Sequence, residues 1–558
     1  MKSKLRDILQ RATELCFQKG RLEETPLPEF VVEVPNNPEH GHFATNLPMV
    51  LAASQKRSPR DLAALIIEHM EDKGDVIEKT EIAGPGFINF TLTKKAWHSI
   101  LITILAHGKD YGRSKAGQGE KILVEFVSAN PTGPLHLGHG RGAALGDTLC
   151  RILAFTGFEV VREFYTNDAG RQIRLLGQSI FSRWQQMSDP DYTFPEEGYW
   201  GGYVSELAEE ISEHYDLTAF EPVEAIDLCA EIGKEKMLNE IKEDLKQFRT
   251  TIDVCFSENE LYTNGTLHKT LAEMNDMGAS YEKDAALWIK TSLFGDDKDR
   301  VIKKQDGQYT YFAADISYHL DKYRRGFSKA INIWGADHHG YVQRVKAALK
   351  TYGIEGNWLA VLLIQLVKLW KGGQELKMSK RAGQYVTLKE LIDEVGVDAA
   401  RFVFLTKNHD STLDFDVDMV KKNDSDNPVY YVQYAHARIC SIFRKAASEG
   451  ITLSEEPGEV LKHLVLDEEL TLMRTLSEFP ALIEDIATTY EPHRLTYYLT
   501  ELASLFHRYF NLGTKEPEKR IVTSEIPLSQ ARLNLAEAVR TVIHNGLDLL
   551  GVSAPDRM

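Results

Sequence analysis

Cysteine is scarce in this sequence, and its few copies lie far apart. The 558 residues include five cysteines with no C-x-x-C pair among them: Cys16, Cys150, Cys229, Cys255 and Cys440. This spacing disfavours a zinc ribbon and a disulfide framework. We therefore expect a reducing compartment, no structural zinc and no metal held by the protein's own side chains.

Long apolar runs are also missing. The most apolar stretch, WLAVLLIQLVKLW at 358–370, contains Gln365 and Lys368 and is too short for a membrane span, so it predicts one or two buried strands. The N-terminal MKSKLRDILQRATELCFQKG is amphipathic, but Asp7 and Glu14 interrupt its basic face and no apolar core follows. It predicts a surface helix rather than a signal or transit peptide. We expect a soluble, cytoplasmic protein with no membrane partner.

An excess of positive charge is absent too. Lys and Arg number 65 against 82 Asp and Glu, which gives a formal net charge of −17. Such a balance argues against a protein whose whole surface binds nucleic acid, but it allows a local basic groove on an acidic body. With 43% hydrophobic and 26% charged residues, the chain has a globular composition and the length for several domains.

Three regions differ in their sequence patterns. Residues 1–113 alternate helical and strand patterns and include IAGPGFINFTL (82–92), which is typical of a strand after a turn. Residues 114–420 start with a linker, SKAGQGEK, and continue with buried-strand and helix patterns. In residues 421–558, segments such as RLTYYLTELASLFHRYF repeat apolar residues at helical spacing. The patterns predict an α+β region, a parallel-sheet α/β region and a helical bundle.

The middle region carries the first unit of a parallel sheet. ILVEFVSANP (122–131) predicts a buried strand, a glycine-rich loop then opens a helix that ends near Gly157, and EVVREFYTND (159–168) predicts a second strand. Residues from about 170 to 300 are charged and mostly helical, which indicates an insertion between two halves of the sheet. Two later segments are interpreted as returning strands, YTYFAADISYHL (309–320) and KAINIWGADHHG (329–340).

Two histidines stand at the predicted mouth of the first helix, in NPTGPLHLGHGRGAALGD. His136 and His139 are three residues apart, so both can lie on one edge of the first turn. Unpaired N–H groups and the helix dipole favour phosphate there, and Gly138 and Gly140 allow a close approach to the backbone. The pair is a candidate for stabilising charge on a phosphorus atom. A turn with two solvent-facing histidines and a zinc site are the alternatives.

A basic loop bounded by glycines, GGQELKMSKRAGQ (372–384), follows a predicted buried strand. Lys377 and Lys380 flank Met378 and Ser379, and their ammonium groups can neutralise a leaving pyrophosphate by position and charge alone. By itself such a loop is usually a solvated surface. Its occurrence with the histidine pair points to phosphate chemistry.

The HLGH (136–139) and KMSK (377–380) segments together resemble the two signature motifs of class I aminoacyl-tRNA synthetases. Leu137 replaces the family's isoleucine, and Arg381 stands where its last serine would be. VEFVSANPTGPLHLGHGRGAALGD, YTNDAGRQI, GADHHGY and the terminal LLGVSAPDRM are similar to the arginyl-tRNA synthetase family. So are the N-terminal GHFATNLPMVLA and AGPGFINFTL, and the resemblance covers nearly the whole chain.

The resemblance implies a multidomain α/β protein. Residues 1–113 would be an additional α+β tRNA-binding domain, 114–420 a Rossmann-like catalytic domain with a helical insertion, and 421–558 an all-α anticodon-binding domain. The implied reaction ligates L-arginine to the 3′ end of tRNA(Arg) for translation, through arginyl-adenylate made from Mg²⁺-ATP with release of pyrophosphate. The class implies attack by the 2′-hydroxyl of the terminal adenosine. The family also implies dependence of the first step on tRNA, and a monomer.

A guanidinium is a planar, permanently charged fork that carboxylates hold well, so polar residues at sheet ends near the histidines are candidates for the arginine pocket. The resemblance implies catalytic roles for His136, His139, Lys377 and Lys380. It implies arginine contacts for Glu125, Ser128, Asn130, His139, Tyr311 and Asp315, and for a polar residue whose register is open between Asp337 and His338. The ATP-binding residues would be Pro131, Thr132, Gly133, His136, Gly138, His139, Lys377, Met378, Ser379 and Lys380.

Each arginine-pocket candidate also has a purely structural interpretation. Glu125 could be a buried partner of an arginine side chain. Tyr311 could be core packing, and Asp315 a helix cap. The DHH segment at 337–339 could bind a metal, although the end of a parallel strand suits a nucleotide better.

Binding of tRNA by an acidic protein requires cationic tracks rather than a cationic whole. The candidates are Lys94–Lys95, Arg324–Arg325, Lys368–Lys371, Lys421–Lys422 and Arg438–Lys445. Near the last of these stand Tyr430, Tyr431 and Tyr434, whose rings could stack unpaired bases or could belong to the core.

Other functions compete with arginine ligation. A cysteine enzyme of class I would need a zinc site, a glutamate enzyme would need basic residues where Glu125 and Asp315 stand, and only the family-specific segments argue against a lysine enzyme. A nucleotidyltransferase with the HxGH pattern would have no tRNA partner, and such chains are shorter and lack the helical C-terminal region. A non-catalytic RNA-binding homologue is disfavoured by the intact histidines and lysines.

Overall fold

A computed structural model describes residues 1–35, 37–72, 74–168, 170–376 and 386–558. Its N-terminal part contains α1 (Lys2–Gln18), β1 (Val32–Glu33), β2 (Phe43–Thr45), α2 (Leu47–Gln55), α3 (Pro59–Glu68), β3 (Ile77–Ala83), β4 (Phe87–Leu92) and α4 (Lys94–His107). The strands form an antiparallel sheet in the order β1-β2-β4-β3. The predicted amphipathic helix is α1, whose Leu5, Leu9 and Ala12 are buried on one face.

The middle part is built around a parallel sheet. Its first half contains β5 (Lys121–Glu125), α5 (Leu137–Phe155), β6 (Glu159–Thr166), α6 (Arg171–Gln186), α7 (Gly202–His214), α8 (Pro222–Gln247), β7 (Val254–Ser257), α9 (Glu258–Thr263), α10 (Thr266–Asp276), β8 (Ser280–Lys283), β9 (Ala286–Ile289) and β10 (Arg300–Lys303). Its second half contains α11 (Tyr311–Arg324), β11 (Lys329–Gly335), α12 (His339–Thr351), β12 (Leu359–Ile364), β13 (Val367–Lys371), β14 (Gln374–Leu376), α13 (Leu388–Val395), α14 (Val397–Phe404), β15 (Leu413–Asp416) and α15 (Val417–Val420).

Five of these strands form the central sheet, in the order β12-β11-β5-β6-β7, and every neighbouring pair is parallel. The buried run Ile122, Leu123 and Val124 of β5 lies in its middle. Because all five strands point the same way, their carboxyl ends share one edge, which is where such folds bind ligands. The parallel α/β sheet predicted from the strand patterns is confirmed, and WLAVLLIQLVKLW forms β12 and β13.

Two parts of the sequence interpretation differ from the structure. Residues 309–320 are not a strand: the segment forms helix α11 from Tyr311 onward, so that prediction was wrong. Phe312, Ile316 and Leu320 recur every four residues and are buried, a helical period that the aromatic and β-branched content obscured. The region of about 170–300 is helical through α8, but it also supplies β7, an edge strand of the central sheet, and a small antiparallel sheet in the order β10-β9-β8.

The C-terminal part is a helical bundle, as predicted. It contains α16 (Pro428–Ser448), α17 (Pro457–Val460), α18 (Asp467–Thr489), α19 (His493–Lys515) and α20 (Ile526–Leu549). The apolar residues that repeat at helical spacing are all buried: Val432, Ala435, Ile439 and Ile442 of α16, and Leu495, Leu499, Leu502 and Phe506 of α19. Among the described residues, no helix combines the length and apolar character needed to cross a bilayer.

A buried arginine joins the C-terminal bundle to helix α5. Arg401 of α14 is fully buried and donates to Asp147 of α5 (2.6 Å) and to the main-chain carbonyls of Phe248 (2.9 Å) and Leu550 (2.9 Å). The Arg401 guanidinium thus bonds to carbonyls from two other parts of the chain as well as to α5. This buried charge fixes the position of α5 relative to those segments. The helix that begins at the histidine pair is thereby anchored far from its mouth.

Candidate active site

The two histidines cap helix α5 reciprocally. His136 is the N-cap residue, with extended backbone, and its Nδ1 accepts from the N–H groups of Gly138 (3.1 Å) and His139 (3.4 Å). In return, Nδ1 of His139 accepts from the His136 N–H (3.3 Å). This is the arrangement of a capping box, built from two imidazoles instead of a hydroxyl and a carboxylate.

The cap fixes the tautomer of both rings. An Nδ1 that accepts from a backbone N–H carries no proton, so we assign the proton of each neutral ring to Nε2. The rings of His136 and His139 are stacked, with centroids 3.7 Å apart and planes 16° apart. Two Nε2–H donors are therefore held side by side at the positive end of a helix. An anion is the ligand that such donors suit.

The two glycines of the motif have different roles. A Cβ on Gly138 would lie 3.0 Å from the His136 ring, so this glycine makes room for the cap. A Cβ on Gly140 would lie 2.7 Å from Leu388 and 3.1 Å from Phe404. The close approach expected at Gly140 is thus made by core side chains that seat α5 on α13 and α14, and not by a ligand.

The residues that follow the lysine segment in sequence contact this helix mouth. Lys377, Met378, Ser379 and Lys380 lie outside the described residues, whereas β14 ends just before them and Thr387 follows them. The Leu388 N–H donates to the Leu135 carbonyl (2.8 Å), and Thr387 forms an antiparallel bridge with His136. The chain that leaves the lysine segment is therefore hydrogen-bonded to the residues that open the histidine helix.

Strand β5 ends in a strained turn that presents polar groups. Val127 and Ser128 have φ angles of 69° and 36°, which is unfavourable for a β-branched residue in particular. The turn lets the Ser128 hydroxyl donate to Oε1 of Glu125 (2.8 Å) and accept from the Tyr165 N–H (3.3 Å). Glu125 and Ser128 are therefore brought together at the carboxyl edge.

Glu125 is also one half of a buried ion pair. Its Oε2 accepts from Nζ of Lys322 (2.6 Å), whose side chain is 0% exposed and which also donates to Asn332 (3.0 Å). Register pairing aligns Glu125 with Asn332 of β11 on one side and Glu163 of β6 on the other. A row of polar residues thus crosses the sheet beneath α11, and the buried partner of Glu125 is a lysine rather than the arginine that the structural alternative named.

Asp315 is a carboxyl group in an acidic setting. Burial, together with the negative charges of Glu258 and Glu125, raises the pKa of Asp315 to about 7, although a hydrogen bond from the Tyr341 hydroxyl opposes the shift. Burial also raises the pKa of Glu258, whose Oε2 accepts from the Tyr165 hydroxyl (2.7 Å). Among the described residues, neither carboxylate forms an ion pair. The two groups would be stabilised by a bound cation.

The other arginine-pocket candidates lie around this edge at various depths. Tyr311 opens α11 one turn before Asp315 and is 68% exposed. Asp337 and His338 follow the carboxyl end of β11, with side chains 82% and 56% exposed. Asn130 donates to Gln172 of α6. Their contacts to arginine remain predictions.

Four residues near Asp315 escaped the sequence analysis: Glu258, Tyr165, Tyr341 and Lys322. Glu258 follows β7, inside a region interpreted as a helical insertion, so the strand end that presents it was not recognised. Lys322 pairs with Glu125 across nearly two hundred positions of sequence. A charged residue inside an otherwise apolar strand, as in ILVEF, was the one available signal that such a partner exists.

A separate basic cavity lies in the C-terminal bundle. It has a volume of about 820 Å³, and its lining includes Tyr434, Arg438, Phe510, Arg520 and Met558. The Arg438 guanidinium lies over the rings of Tyr434 (4.5 Å) and Phe510 (4.7 Å). One wall is therefore aromatic and cationic together.

The C-terminal tail forms another wall of that cavity and is fastened to α16. The Pro555 carbonyl is 2.9 Å from Nδ1 of His436, and Cys440 donates to Asp556 (3.3 Å). His436, Cys440 and Asp556 bring potential metal-ligand atoms within 4.8 Å of one another. These contacts hold the tail in place and so position Met558.

Most of the predicted cationic tracks are paired with carboxylates. The pairs are Lys95 with Asp75, Arg324 with Glu273, Arg325 with Glu163, Lys371 and Lys421 with Glu394, and Lys422 with Asp426. Arg438, Arg444 and Lys445 line the basic cavity, and Lys445 is also paired with Glu449 (3.8 Å). The predicted track Arg438–Lys445 therefore lies at this cavity, and its contact with tRNA stays a prediction.

The histidine-capped helix at the carboxyl edge of a parallel sheet fits the class I aminoacyl-tRNA synthetases, which the two sequence motifs resemble. Comparison with known protein families narrows this class to one amino-acid specificity. Residues 100–440 match the family model "tRNA synthetases class I (R), catalytic domain", residues 1–92 "Arginyl tRNA synthetase N terminal domain" and residues 432–558 "DALR anticodon binding domain".

Proteins that are similar over the full length of this chain belong to the same family. The chain is 47% identical to an arginine–tRNA ligase of Desulfosudis oleivorans and 46% identical to one of Syntrophotalea carbinolica, with 100% of each chain covered. The structure of Thermus thermophilus arginyl-tRNA synthetase shares the fold, with a TM-score of 0.77 at 22% identity and 100% coverage of both chains. The chain belongs to the arginine–tRNA ligase family, which charges tRNA with arginine for translation, as the motifs led us to expect.

Proposed function

We propose that this enzyme forms arginyl-adenylate at the carboxyl edge of the central sheet and then transfers the arginyl group to tRNA(Arg). The observation that carries the proposal is a pair of carboxylates, the partly buried Asp315 and the buried Glu258, with raised pKa values and tyrosine hydroxyls as partners. A guanidinium entering this pocket supplies the cation that both carboxylates lack. Lys322 already neutralises Glu125, which leaves the other two acids for the substrate.

The arginine pocket then has the following composition. Asp315 and Glu258 bind the guanidinium, with Tyr341 and Tyr165 fixing their orientation by hydrogen bonds. The remaining proposed contacts, grouped around the same edge, are Glu125, Ser128, Asn130, His139, Tyr311, Asp337 and His338.

The proposed ATP site lies at the N-terminus of helix α5. The Nε2–H groups of His136 and His139 donate to the α-phosphate, and Pro131, Thr132, Gly133 and Gly138 line the nucleotide. Lys377 and Lys380 hold the β- and γ-phosphates, with Ser379 and Met378 beside them. Thr387 lies seven residues after Lys380, a tether of at most roughly 25 Å, which supports contact between the two motifs at one nucleotide.

The chemistry requires no nucleophilic side chain. A carboxylate oxygen of arginine attacks the α-phosphorus of Mg²⁺-ATP, the bond to the bridging oxygen breaks, and pyrophosphate leaves. Charge that builds on the α-phosphate is stabilised by the imidazole donors and the helix N-terminus. The 2′-hydroxyl of the terminal adenosine then attacks the arginyl carbonyl and releases AMP. We further propose a monomer that acts in the cytoplasm.

ATP–pyrophosphate exchange with each of the twenty amino acids, with and without tRNA, tests this function. Of the twenty amino acids, we expect only arginine to support exchange, and only when tRNA is present. Stable arginylation of the tRNA should follow. Exchange with lysine or glutamate would assign the chain to another specificity. Exchange with no subsequent attachment to tRNA would favour a small-molecule nucleotidyltransferase.

We also propose that the C-terminal cavity receives an unpaired base of a tRNA loop. Residues 1–113 act as the additional tRNA-binding domain, 114–420 as the catalytic domain and 421–558 as the anticodon-binding domain. Tyr430 and Tyr434 are stacked, 5.8 Å apart at 12°, which supports a platform for a base.

Replacing Tyr434 by leucine is expected to weaken tRNA binding about tenfold, since base stacking on an aromatic ring contributes about 1–3 kcal/mol. Filter binding of tRNA(Arg) transcripts measures the effect. Tyr497→Leu is the control, because Tyr497 is an exposed tyrosine of α19 outside the cavity. Equal affinities for the two variants, or an affinity that does not change with salt concentration, would contradict the cavity assignment.

A further inference from the structure

The loop between β5 and α5 has few internal hydrogen bonds. Thr132 N–H donates to the Asn130 carbonyl (2.8 Å), while Pro131 and Pro134 have no N–H to donate. The same loop leads directly into the histidine cap. Its position must therefore be set from outside.

Two side chains of the helical insertion, Tyr203 and Gln172, are hydrogen-bonded to this loop. The Tyr203 hydroxyl, from the first turn of α7, donates to the Thr132 carbonyl (2.7 Å). Burial raises the pKa of Tyr199, and the nearby Thr132 side chain opposes that shift. Gln172 of α6 accepts from the Asn130 amide. Two residues of the loop are thus held by the insertion.

The tyrosines are themselves held rigidly. Both pack against the buried core formed by α6, α7 and α8. The Tyr199 N–H donates to the Ser179 hydroxyl (3.0 Å), and a Cβ on Gly201 would lie 2.4 Å from the Tyr203 ring. The missing side chain at Gly201 is what allows the ring to lie where its hydroxyl meets Thr132.

We propose that Tyr203 is a positioning residue for adenylate formation, which acts by holding Thr132 and so the nucleotide-binding loop in register with the histidine cap. The inference rests on the proposed function, because the placement of ATP on Pro131, Thr132 and Gly133 is itself a proposal. It gives the insertion a part in the first chemical step, since a displacement of about 1 Å at a reacting group can cost about 100-fold in rate.

Tyr203→Phe tests the inference, because it removes one hydroxyl and keeps the ring. In ATP–pyrophosphate exchange with saturating arginine and tRNA, we expect kcat/KM for ATP to fall about tenfold, with an unchanged KM for arginine and an unchanged melting temperature. Single-turnover transfer from purified arginyl-adenylate to tRNA is expected to keep its wild-type rate. Tyr215→Phe, at an exposed tyrosine that follows α7, is the matched control.

Gly201→Ala provides a second, independent variant. It keeps the Tyr203 hydroxyl but displaces the ring, so we expect the same selective loss in kcat/KM for ATP. Wild-type kinetics in Tyr203→Phe, or a KM that rises equally for ATP and arginine, would overturn the inference. A wild-type chain that shows no arginine-dependent exchange would instead overturn the proposed function, so the two failures are distinguishable.

Discussion

An enzyme with His136 replaced by asparagine is expected to fold as stably as the wild type and to form arginyl-adenylate about 10² to 10³ times more slowly. His136 has two roles that this substitution separates. Its Nδ1 caps helix α5, and asparagine is among the best N-cap residues because its side-chain oxygen accepts the same N–H bonds. Asparagine has no group in the place of Nε2–H. The loss corresponds to one missing donor to the charge that develops on the α-phosphate.

The kinetic effect is measured as kcat in ATP–pyrophosphate exchange and the stability by urea unfolding. His136→Ala serves as the comparison, because it removes the cap as well and should lose about 1 kcal/mol of stability with a similar kinetic loss. His214→Asn, at the end of α7, controls for a surface histidine. If His136→Asn retained full activity, the pair would be a structural cap and nothing more.

The histidine site could be predicted from the sequence because its strand, loop and helix are adjacent along the chain. A strand, a glycine-rich loop and a helix follow one another within about forty residues, and each is signalled by the pattern of its own residues. The reciprocal cap was not foreseen, because a serine or aspartate is the usual sign of an N-cap. The pair at 136 and 139 nevertheless has the spacing of a capping box.

The acidic pocket is a different case, because its parts come from distant segments. Glu125 ends β5, Glu258 follows β7 and Asp315 lies in α11. The strand order β5-β6-β7 and the contact of α11 with β5 through Lys322 bring these segments together. Local patterns do not encode strand order.

The error at 309–320 has the same cause. Aromatic residues suggested a strand, whereas packing of Phe312 and Ile316 on the sheet favours a helix. The helix places Tyr311 and Asp315 one turn apart, which the strand interpretation would not have done.

Family resemblance supplied what local patterns could not. It named Glu125 and Asp315 together before any geometry was known, yet it did not indicate that Lys322 already neutralises Glu125. The net charge of the pocket depends on that lysine. The resemblance implied Glu125 and Asp315, with Asp337 or His338, as polar contacts, whereas the structure pairs Glu125 with Lys322 and brings Glu258 near Asp315.

The second large effect is expected at Asp315. Asp315→Asn should raise the KM for arginine about a hundredfold or more, because loss of a buried charge partner costs about 2–5 kcal/mol of binding free energy. The variant should not be less stable. The pKa of Asp315 is raised from an ordinary value of about 4 to about 7 in the folded protein, so above pH 4 its ionisation favours the unfolded chain. Removing that charge should therefore maintain or raise the melting temperature of the unliganded enzyme at pH 8.

The same pKa predicts a pH dependence that distinguishes charge from shape. Arginine binds the ionised pocket, so the wild-type KM for arginine should rise as the pH falls from 8 to 6, approaching about tenfold per unit below pH 7. Asp315→Asn should have lost this dependence, while Asp321→Asn, on the same helix but paired with Arg325 (3.0 Å), should retain it. A wild-type KM that is flat across this range, with an unchanged KM in Asp315→Asn, would remove Asp315 from the pocket and leave Glu258 as the acid that binds the guanidinium.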